Sequence, residues 1–141
     1  MSNTKTADIV AKLKQIVADA EADARKAFDE KIGLAPSSDN PQVMLTDWIK
    51  WYGQSALIAE RKIVILFHLN KQIEKMATVG DILKAVQDKQ KELKELVIEE
   101  IGCGSGGLLN MAIHEARQTA NARVAERTCH WIISHNWRPR E

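Results

Sequence analysis

Apolar residues near the start of the chain recur at spacings of three and four. They lie between residues 7 and 32 and comprise Ile9, Leu13, Ile16, Val17, Ala20, Ala24, Ala27 and Phe28. This spacing is the period of an α-helix with one buried face, and charged residues occupy the opposite face. Thr4 or Thr6 is a suitable N-cap and Gly33 a suitable C-terminal stop. We therefore predict a first helix over residues 7–32.

A second helical pattern follows the linker at residues 35–41. Asn40 before Pro41 is typical of an N-cap with proline at the first helical position, and the pattern continues to Met76. This predicted length is about three times the average helix length of ~11–12 residues. The sequence therefore leaves open an interruption of the helix at Gly53. Residues 63–67 are apolar on every side, which predicts burial between helices or in an oligomer interface.

Two further helices are predicted after residue 77. Thr78 and Asp81 resemble a capping box that opens a helix to about Glu100. Lys89 and Gln90 interrupt its apolar stripe, so we expect this helix to pack on one face only. Glycines at 102, 104, 106 and 107 then precede a last helix over residues 108–135. Its expected packing seam consists of Ala112, Ala116, Ala120, Val124 and Trp131.

These patterns predict the fold class and the domain organisation. We expect an all-α bundle of about four helices with a long second helix, which a second copy of the chain could complete. Residues 1–135 would form a single helical domain and residues 136–141 a short polar tail. Trp48, Trp51 and Trp131 are expected to pack in the core.

Composition and charge narrow the classes of partner. Twenty Lys and Arg side chains against nineteen Asp and Glu leave a net charge of +1, which is well short of the basic stripe of a duplex-binding protein. The N-terminus lacks the pattern of a signal peptide, and no stretch is long and apolar enough to span a membrane. With two cysteines expected to stay reduced, the chain is predicted to be cytoplasmic, with no membrane partner.

One short segment resembles a cofactor-binding motif. Residues 96–109, LVIEEIGCGSGGLL, are similar to the glycine-rich first motif of Rossmann-type S-adenosylmethionine methyltransferases. That motif follows a buried strand, and a second strand with an acidic ribose ligand comes roughly twenty residues later. The charge spacing of residues 87–100 favours a helix instead, and a continuous helical pattern follows the glycines. We therefore predict no cofactor.

Four residues that could bind a metal or act in catalysis lie in the last part of the chain. His114, Cys129, His130 and His135 cluster toward the C-terminus, but His130 and His135 are rotated about 140° apart on a helix of 3.6 residues per turn. No CxxC or HExxH motif is present, and Ser134 beside His135 does not make a triad. We expect no metal site and no catalytic residue.

The residues that best fit an interaction site lie near the C-terminus. Trp137 falls outside any periodic pattern and is flanked by Arg138 and Arg140, a composition typical of interaction hot spots. Arg123 and Arg127 add positive charge on the last helix. The sequence predicts that these five residues bind a partner.

Our functional hypothesis is a non-catalytic protein-binding module, such as an adaptor, regulator or inhibitor of a larger protein machine, of a kind that a phage or mobile element could encode. Partners would be another protein and a further copy of the chain. The alternative is a nucleic-acid-binding accessory protein that uses the C-terminal Arg and Trp residues. A helical metal-binding protein or enzyme is the third possibility, for which the histidines would have to converge in space.

Overall fold

A computed structural model describes residues 2–35, 45–101 and 107–135, with side-chain surroundings given for 6–35, 47–95 and 112–135. The described residues form four continuous helices and no strand, which confirms the predicted all-α bundle. Helix α1 spans Ser2–Gly33, and helix α3 spans Val79–Ile101. Helix α2 consists of three consecutive parts: an α-helical start at Leu45–Trp48, a π-helical turn at Ile49–Gly53, and an α-helical stretch at Gln54–Ile73. Helix α4 likewise consists of an α-helical stretch at Gly107–Arg123, a π-helical segment at Val124–Cys129, and an α-helical end at His130–Ser134.

The helix boundaries follow the sequence signals closely, with differences at the start of α1 and at the end of α2, which stops at Ile73 and not at Met76. The first turn of α1 begins at Ser2, upstream of Thr4 and Thr6, so neither threonine lies outside the helix as an N-cap would. At the start of α3, the Oγ1 of Thr78 accepts a hydrogen bond from the backbone N–H of Asp81 at 3.2 Å. This bond satisfies one of the donors left free in a first turn, so Thr78 is the N-cap that the sequence predicts.

The long second helix is confirmed over residues 45–73. Gly53 has helical dihedrals (φ −59°, ψ −45°), so the helix continues through the position at which the sequence leaves an interruption open. The irregularity is a π turn that ends at Gly53, with hydrogen bonds that span one more residue than in an α-helix. The predicted start at Pro41 lies outside the described residues.

Helix α1 runs antiparallel to α2. The ammonium of Lys14, in the first half of α1, donates to the carbonyl oxygen of Glu74 at the end of α2. At the other end, the indole N–H of Trp48 donates to the carbonyl oxygen of Lys31 at 2.8 Å. Between these two bonds, the side-chain amide of Asn70 donates to the carboxylate of Glu21 at 2.8 Å. These contacts hold the two helices together along most of their length.

Helix α2 also packs against α4, and the two helices run in the same direction. Ile58 contacts the buried Ala116 and Ala120 in a small apolar cluster. One turn later, Arg61 bonds Asn121. The alanines leave room for a close approach of the helices, as their spacing of four predicts. The last helix then packs against α3, where Gln90 donates its side-chain N–H to the carbonyl oxygen of Ala125 at 3.0 Å.

The main core lies where all four helices meet. Its fully buried side chains come from every helix and include Leu13, Val17, Leu69, Ile73, Ile82, Val86, Leu93, Val124 and Ile132. At about 1.5–3 kcal/mol for each large apolar side chain removed from water, this cluster is the main source of stability. Lys89 and Gln90 are half-buried beside it, so helix α3 buries a narrow stripe, as expected.

One expectation about apolar residues is met in part, and another is wrong. In the segment 63–67, Ile65 and Leu66 are buried between the helices, whereas Val64 and Phe67 remain 39% exposed on the single chain, so their burial in an oligomer interface stays a prediction. Trp51 is 64% and Trp131 48% exposed, so neither packs in the core. Each tryptophan lies within or just after a π segment, where the wider turn moves residues off the face that a spacing of three or four predicts.

Candidate functional site

The structure describes two of the five residues predicted to bind a partner. Arg123 and Arg127 are four residues apart on α4, and both are exposed. They line the same cavity, of about 340 Å³, between α1, α2 and α4. Trp137, Arg138 and Arg140 lie outside the described residues. The cavity at Arg123 and Arg127 is therefore the candidate site, and we call it the basic cavity.

The basic cavity has an apolar floor and a polar rim. The floor is formed by small and aliphatic side chains that also belong to the helix packing, namely Ala20, Ala24, Ala27, Ile58, Ala59, Leu66 and Val124. The charged groups are Asp23 and Lys31 from α1, Lys62 from α2, and the two arginines from α4. Two hydroxyl groups, from Ser55 and Thr128, complete the lining. Four cations therefore face one carboxylate.

Lys62 is the most constrained of these cations. It lies four residues after Ile58 and four before Leu66, on the stripe of α2 that is otherwise buried. Burial lowers the pKa of Lys62 below its ordinary value of 10.5, and the positive charges of Arg123 and Arg127 lower it further. The ammonium is thus held close to two guanidinium groups in a partly dehydrated position, which raises the free energy of its charged form.

The cations of the basic cavity are not neutralised from within the described part of the chain. No carboxylate oxygen in that part of the chain forms an ion pair, within 4.0 Å, with a side-chain nitrogen of Lys62, Arg123 or Arg127. The ammonium of Lys31 lies 5.2 Å from the ring centre of Tyr52, an attraction that leaves its charge uncompensated. An anion that entered the cavity would meet several unpaired donors.

A second cavity, of about 380 Å³, provides the contrast. It lies between α1 and the end of α2 and has two lysines and two glutamates in its lining. There Asn70 donates to Glu21, Lys14 donates to a backbone carbonyl, and Lys71 lies 3.9 Å from the carboxylate of Glu74. Its positive and negative groups are equal in number and each has a hydrogen-bond or ion-pair partner, so this cavity lacks the charge imbalance of the basic cavity.

The π-helical segment of α4 forms one wall of the basic cavity. Val124, Arg127 and Thr128 belong to it, and Arg123 immediately precedes it. The backbone N–H of His130 donates to the carbonyl oxygens of Ala125 and Arg127, and Ala125 also accepts the hydrogen bond from Gln90. Helix α3, which contributes no residue to the lining of the cavity, thereby anchors the segment. Single π turns of this kind are frequent at functional sites.

Asn121 is a buried polar residue on the same helix. It is fully buried, and its Oδ1 accepts a hydrogen bond from the Nε of Arg61 at 3.2 Å. Its Nδ2 has no acceptor among the described residues. Neither Asn121 nor Arg61 lines the basic cavity, and their hydrogen bond links α2 to α4.

Exposed apolar side chains gather at the end of the bundle where α1 stops and α2 begins. Ile32 and Leu34 follow Lys31, whose carbonyl holds Trp48, and Ile49 and Trp51 follow Trp48. All four are more than two-fifths exposed. At the C-terminal end of α4, the ring of Trp131 stacks on the ring of His135, with the ring centres 4.9 Å apart.

Groups that could support metal binding or nucleophilic chemistry are dispersed in the described part of the chain. No three His, Cys, Asp or Glu residues come together there in a way that could hold a metal ion. The Cys129 thiol is fully buried, and burial raises its pKa to about 11. A thiol with so high a pKa is almost entirely protonated at neutral pH and is a poor nucleophile.

Comparisons with known protein families, with curated proteins and with solved structures find no match to this chain. The helix that precedes the glycine-rich segment extends to Ile101, in place of the strand that a Rossmann-type methyltransferase motif requires. Every helix within residues 2–35, 45–101 and 107–135 is too short or too polar to span a lipid bilayer.

Sequence reasoning missed Lys31, Asp23 and Lys62 as parts of the site. Lys31 and Asp23 lie on the charged face of α1 and carry no distinguishing signal. Lys62 does carry one, because it replaces an apolar residue in the stripe made by Ile58, Leu66 and Leu69. A lysine on a buried stripe indicates a group held near the protein interior, which is where functional cations with shifted pKa values occur.

Proposed function

We propose that this chain is a non-catalytic protein-binding module that receives an acidic segment of its partner at the basic cavity. The observation that carries the proposal is the convergence of Lys62, Arg123 and Arg127 around one cavity with no carboxylate paired to them in the described residues. Arginine is enriched at protein interfaces because its planar group binds carboxylates with two parallel hydrogen bonds.

The shape and the charge of the site favour a protein partner over a nucleic acid. A nucleic-acid backbone requires a basic groove or stripe that follows many phosphates. The cations here surround a single concave site, Asp23 lies in its wall, and the chain as a whole carries only +1. A short acidic segment needs no more than this local surface.

The experiment is affinity capture of the tagged full-length chain from an extract of its host, at low and high salt, with and without nuclease. We expect a protein recovered in stoichiometric amount, resistant to nuclease, and progressively lost as salt screens the charges. Recovery of nucleic acid alone, with every protein lost after nuclease treatment, would replace the proposal with the nucleic-acid accessory function. Recovery of no specific protein under any condition would also refute it.

A matched pair of variants ties the captured protein to the site. Arg123→Ala with Arg127→Ala removes two positive charges from the basic cavity, whereas Lys91→Ala with Lys94→Ala removes two from exposed positions of α3 outside it. Only the arginine variant is expected to lose the partner. Equal recovery by both variants would place the contact elsewhere on the molecule.

A further inference from the structure

The lining of the basic cavity carries more positive charge than a single carboxylate would neutralise. Its volume of about 340 Å³ falls in the range of small-molecule sites, roughly 300–1,000 Å³. The floor beneath the charged groups is apolar, so an entering anion would lose water and interact more strongly with the cations. A glutamate or aspartate side chain would supply one negative charge to a lining with four cations and one carboxylate.

A phosphate monoester matches this lining better. It carries a charge of about −1.5 to −2 near pH 7 and three terminal oxygens that accept hydrogen bonds. The guanidinium groups of Arg123 and Arg127 are planar donors suited to phosphate oxygens, and the Lys62 ammonium contributes a compact charge. Ser55 and Thr128 bring hydroxyl donors to the same cavity.

The same lining discriminates against a phosphodiester. A diester carries a single negative charge and only two terminal oxygens, so it offers less charge and fewer acceptors to the four cations of the lining. A monoester offers three terminal oxygens and has one substituent, which can point out of the opening. A nucleic acid would also bring further phosphates close to the cavity, and the carboxylate of Asp23 would repel them.

We propose that the basic cavity is a binding site for a phosphate monoester group, held by Lys62, Arg123 and Arg127. This inference rests on the proposed function where the group is a phosphorylated side chain of the protein partner. A small organic phosphate would present the same group, and the two sources are separated by the test.

The test is isothermal titration calorimetry of the full-length chain at constant ionic strength. The probes are inorganic phosphate, glucose 6-phosphate, an acetylated peptide with one phosphoserine, the same peptide with glutamate, dimethyl phosphate, and a short single-stranded oligonucleotide. We expect saturable 1:1 binding of the phosphoserine peptide with a dissociation constant of about 1 mM or lower. The glutamate peptide and dimethyl phosphate should bind at least tenfold more weakly.

Variants locate the binding. Arg127→Gln changes an exposed residue and should keep the fold, as checked by circular dichroism, while weakening phosphoserine binding at least tenfold. Lys62→Met should have the same effect, and the Lys91→Ala, Lys94→Ala control should leave the affinity unchanged. Equal binding of monoester and diester, no saturable binding of any monoester, or unchanged affinity in folded Arg127→Gln would each overturn the inference.

The outcomes also separate this inference from the proposed function. If the monoesters fail to bind but a captured protein still depends on Arg123 and Arg127, the phosphate site is wrong and the protein-binding function stands. If glucose 6-phosphate and the phosphoserine peptide bind equally and no protein is captured, the cavity is a site for small organic phosphates and the protein-binding function is wrong. Tighter binding of a single-stranded oligonucleotide than of the phosphoserine peptide would overturn both.

Discussion

Lys62 occupies a position in α2 that helical periodicity assigns to the buried stripe, and its pKa is lowered by burial and by two neighbouring arginines. From α1, Asp23 and Lys31 face the same cavity. A stability-optimised bundle would place an apolar residue at this position. Retaining a charge there is typical of binding sites, where function is obtained at some cost in stability.

Replacing Lys62 with methionine should therefore stabilise the fold while it weakens anion binding. The pKa of Lys62 is lower in the folded protein than in the unfolded chain, so the unfolded chain binds the proton more tightly, and the charged form disfavours folding. We expect the thermal midpoint of Lys62→Met to rise by a few degrees at most near pH 7. As the pH rises from the lowered pKa toward 10.5, the wild type loses this penalty, and the difference in midpoint should shrink.

The measurement is thermal unfolding followed by circular dichroism for both proteins between pH 7 and pH 11. Lys91→Met, at an exposed position of α3, is the control and should shift the midpoint little at any pH. A Lys62→Met protein that is less stable than the wild type at pH 7 would show that the lysine contributes a stabilising contact.

Cys129 gives a second prediction for a single residue. Its thiol is fully buried with a pKa of about 11, so it should react with a disulfide reagent at pH 8 far more slowly than a free cysteine. The rate is measured in a chain that carries Cys103→Ser, with and without denaturant. Denaturant should restore the rate of a free thiol, and an equally fast reaction in the native protein would contradict the burial of Cys129 in the core.

At the scale of the helices, most of the fold could be predicted from the sequence. The apolar period places four helices, and Thr78 and Gly33 mark ends that the structure confirms within a residue or two. The two π segments could not be predicted, because hydropathy patterns assume 3.6 residues per turn and carry no signal for a wider one. The errors at Trp51 and Trp131 follow from this.

The N-cap of α3 is open to a direct test. Replacing Thr78 with alanine removes the oxygen that accepts the Asp81 N–H, and we expect a loss of about 1 kcal/mol in the free energy of unfolding. Thr78→Ser keeps the acceptor and should stay within about 0.5 kcal/mol of the wild type. Urea unfolding at equilibrium measures both variants, and equal losses would show that the cap contributes nothing.

For the whole molecule, stability is expected to reside in the core where the four helices meet. Leu69 is fully buried there, so Leu69→Ala should lower the free energy of unfolding by about 2–5 kcal/mol. Val64→Ala, on an exposed side of the same helix, should cost less than about 1 kcal/mol. Urea unfolding is again the measurement, and similar losses from the two variants would contradict the description of the core.

The candidate site was only partly predictable at this scale. Arg123 and Arg127 were identified from local charge, but their convergence with Lys62 depends on the packing of α2 beside α4 in the same direction. Helix order in a bundle is set by many weak packing contacts between residues far apart in sequence, and the periodicity of one helix carries little information about its neighbours.

The affinity of the captured protein partner for wild-type chain and charge variants, measured by titration calorimetry, tests the central claim most directly. Removing a charge that is buried in an interface typically costs 2–5 kcal/mol, whereas removing an exposed one costs little. We predict that Arg123→Ala with Arg127→Ala weakens binding by at least tenfold and that Lys91→Ala with Lys94→Ala changes it less than about twofold. An affinity unchanged in the arginine variant would show that the basic cavity is not where this protein binds its partner.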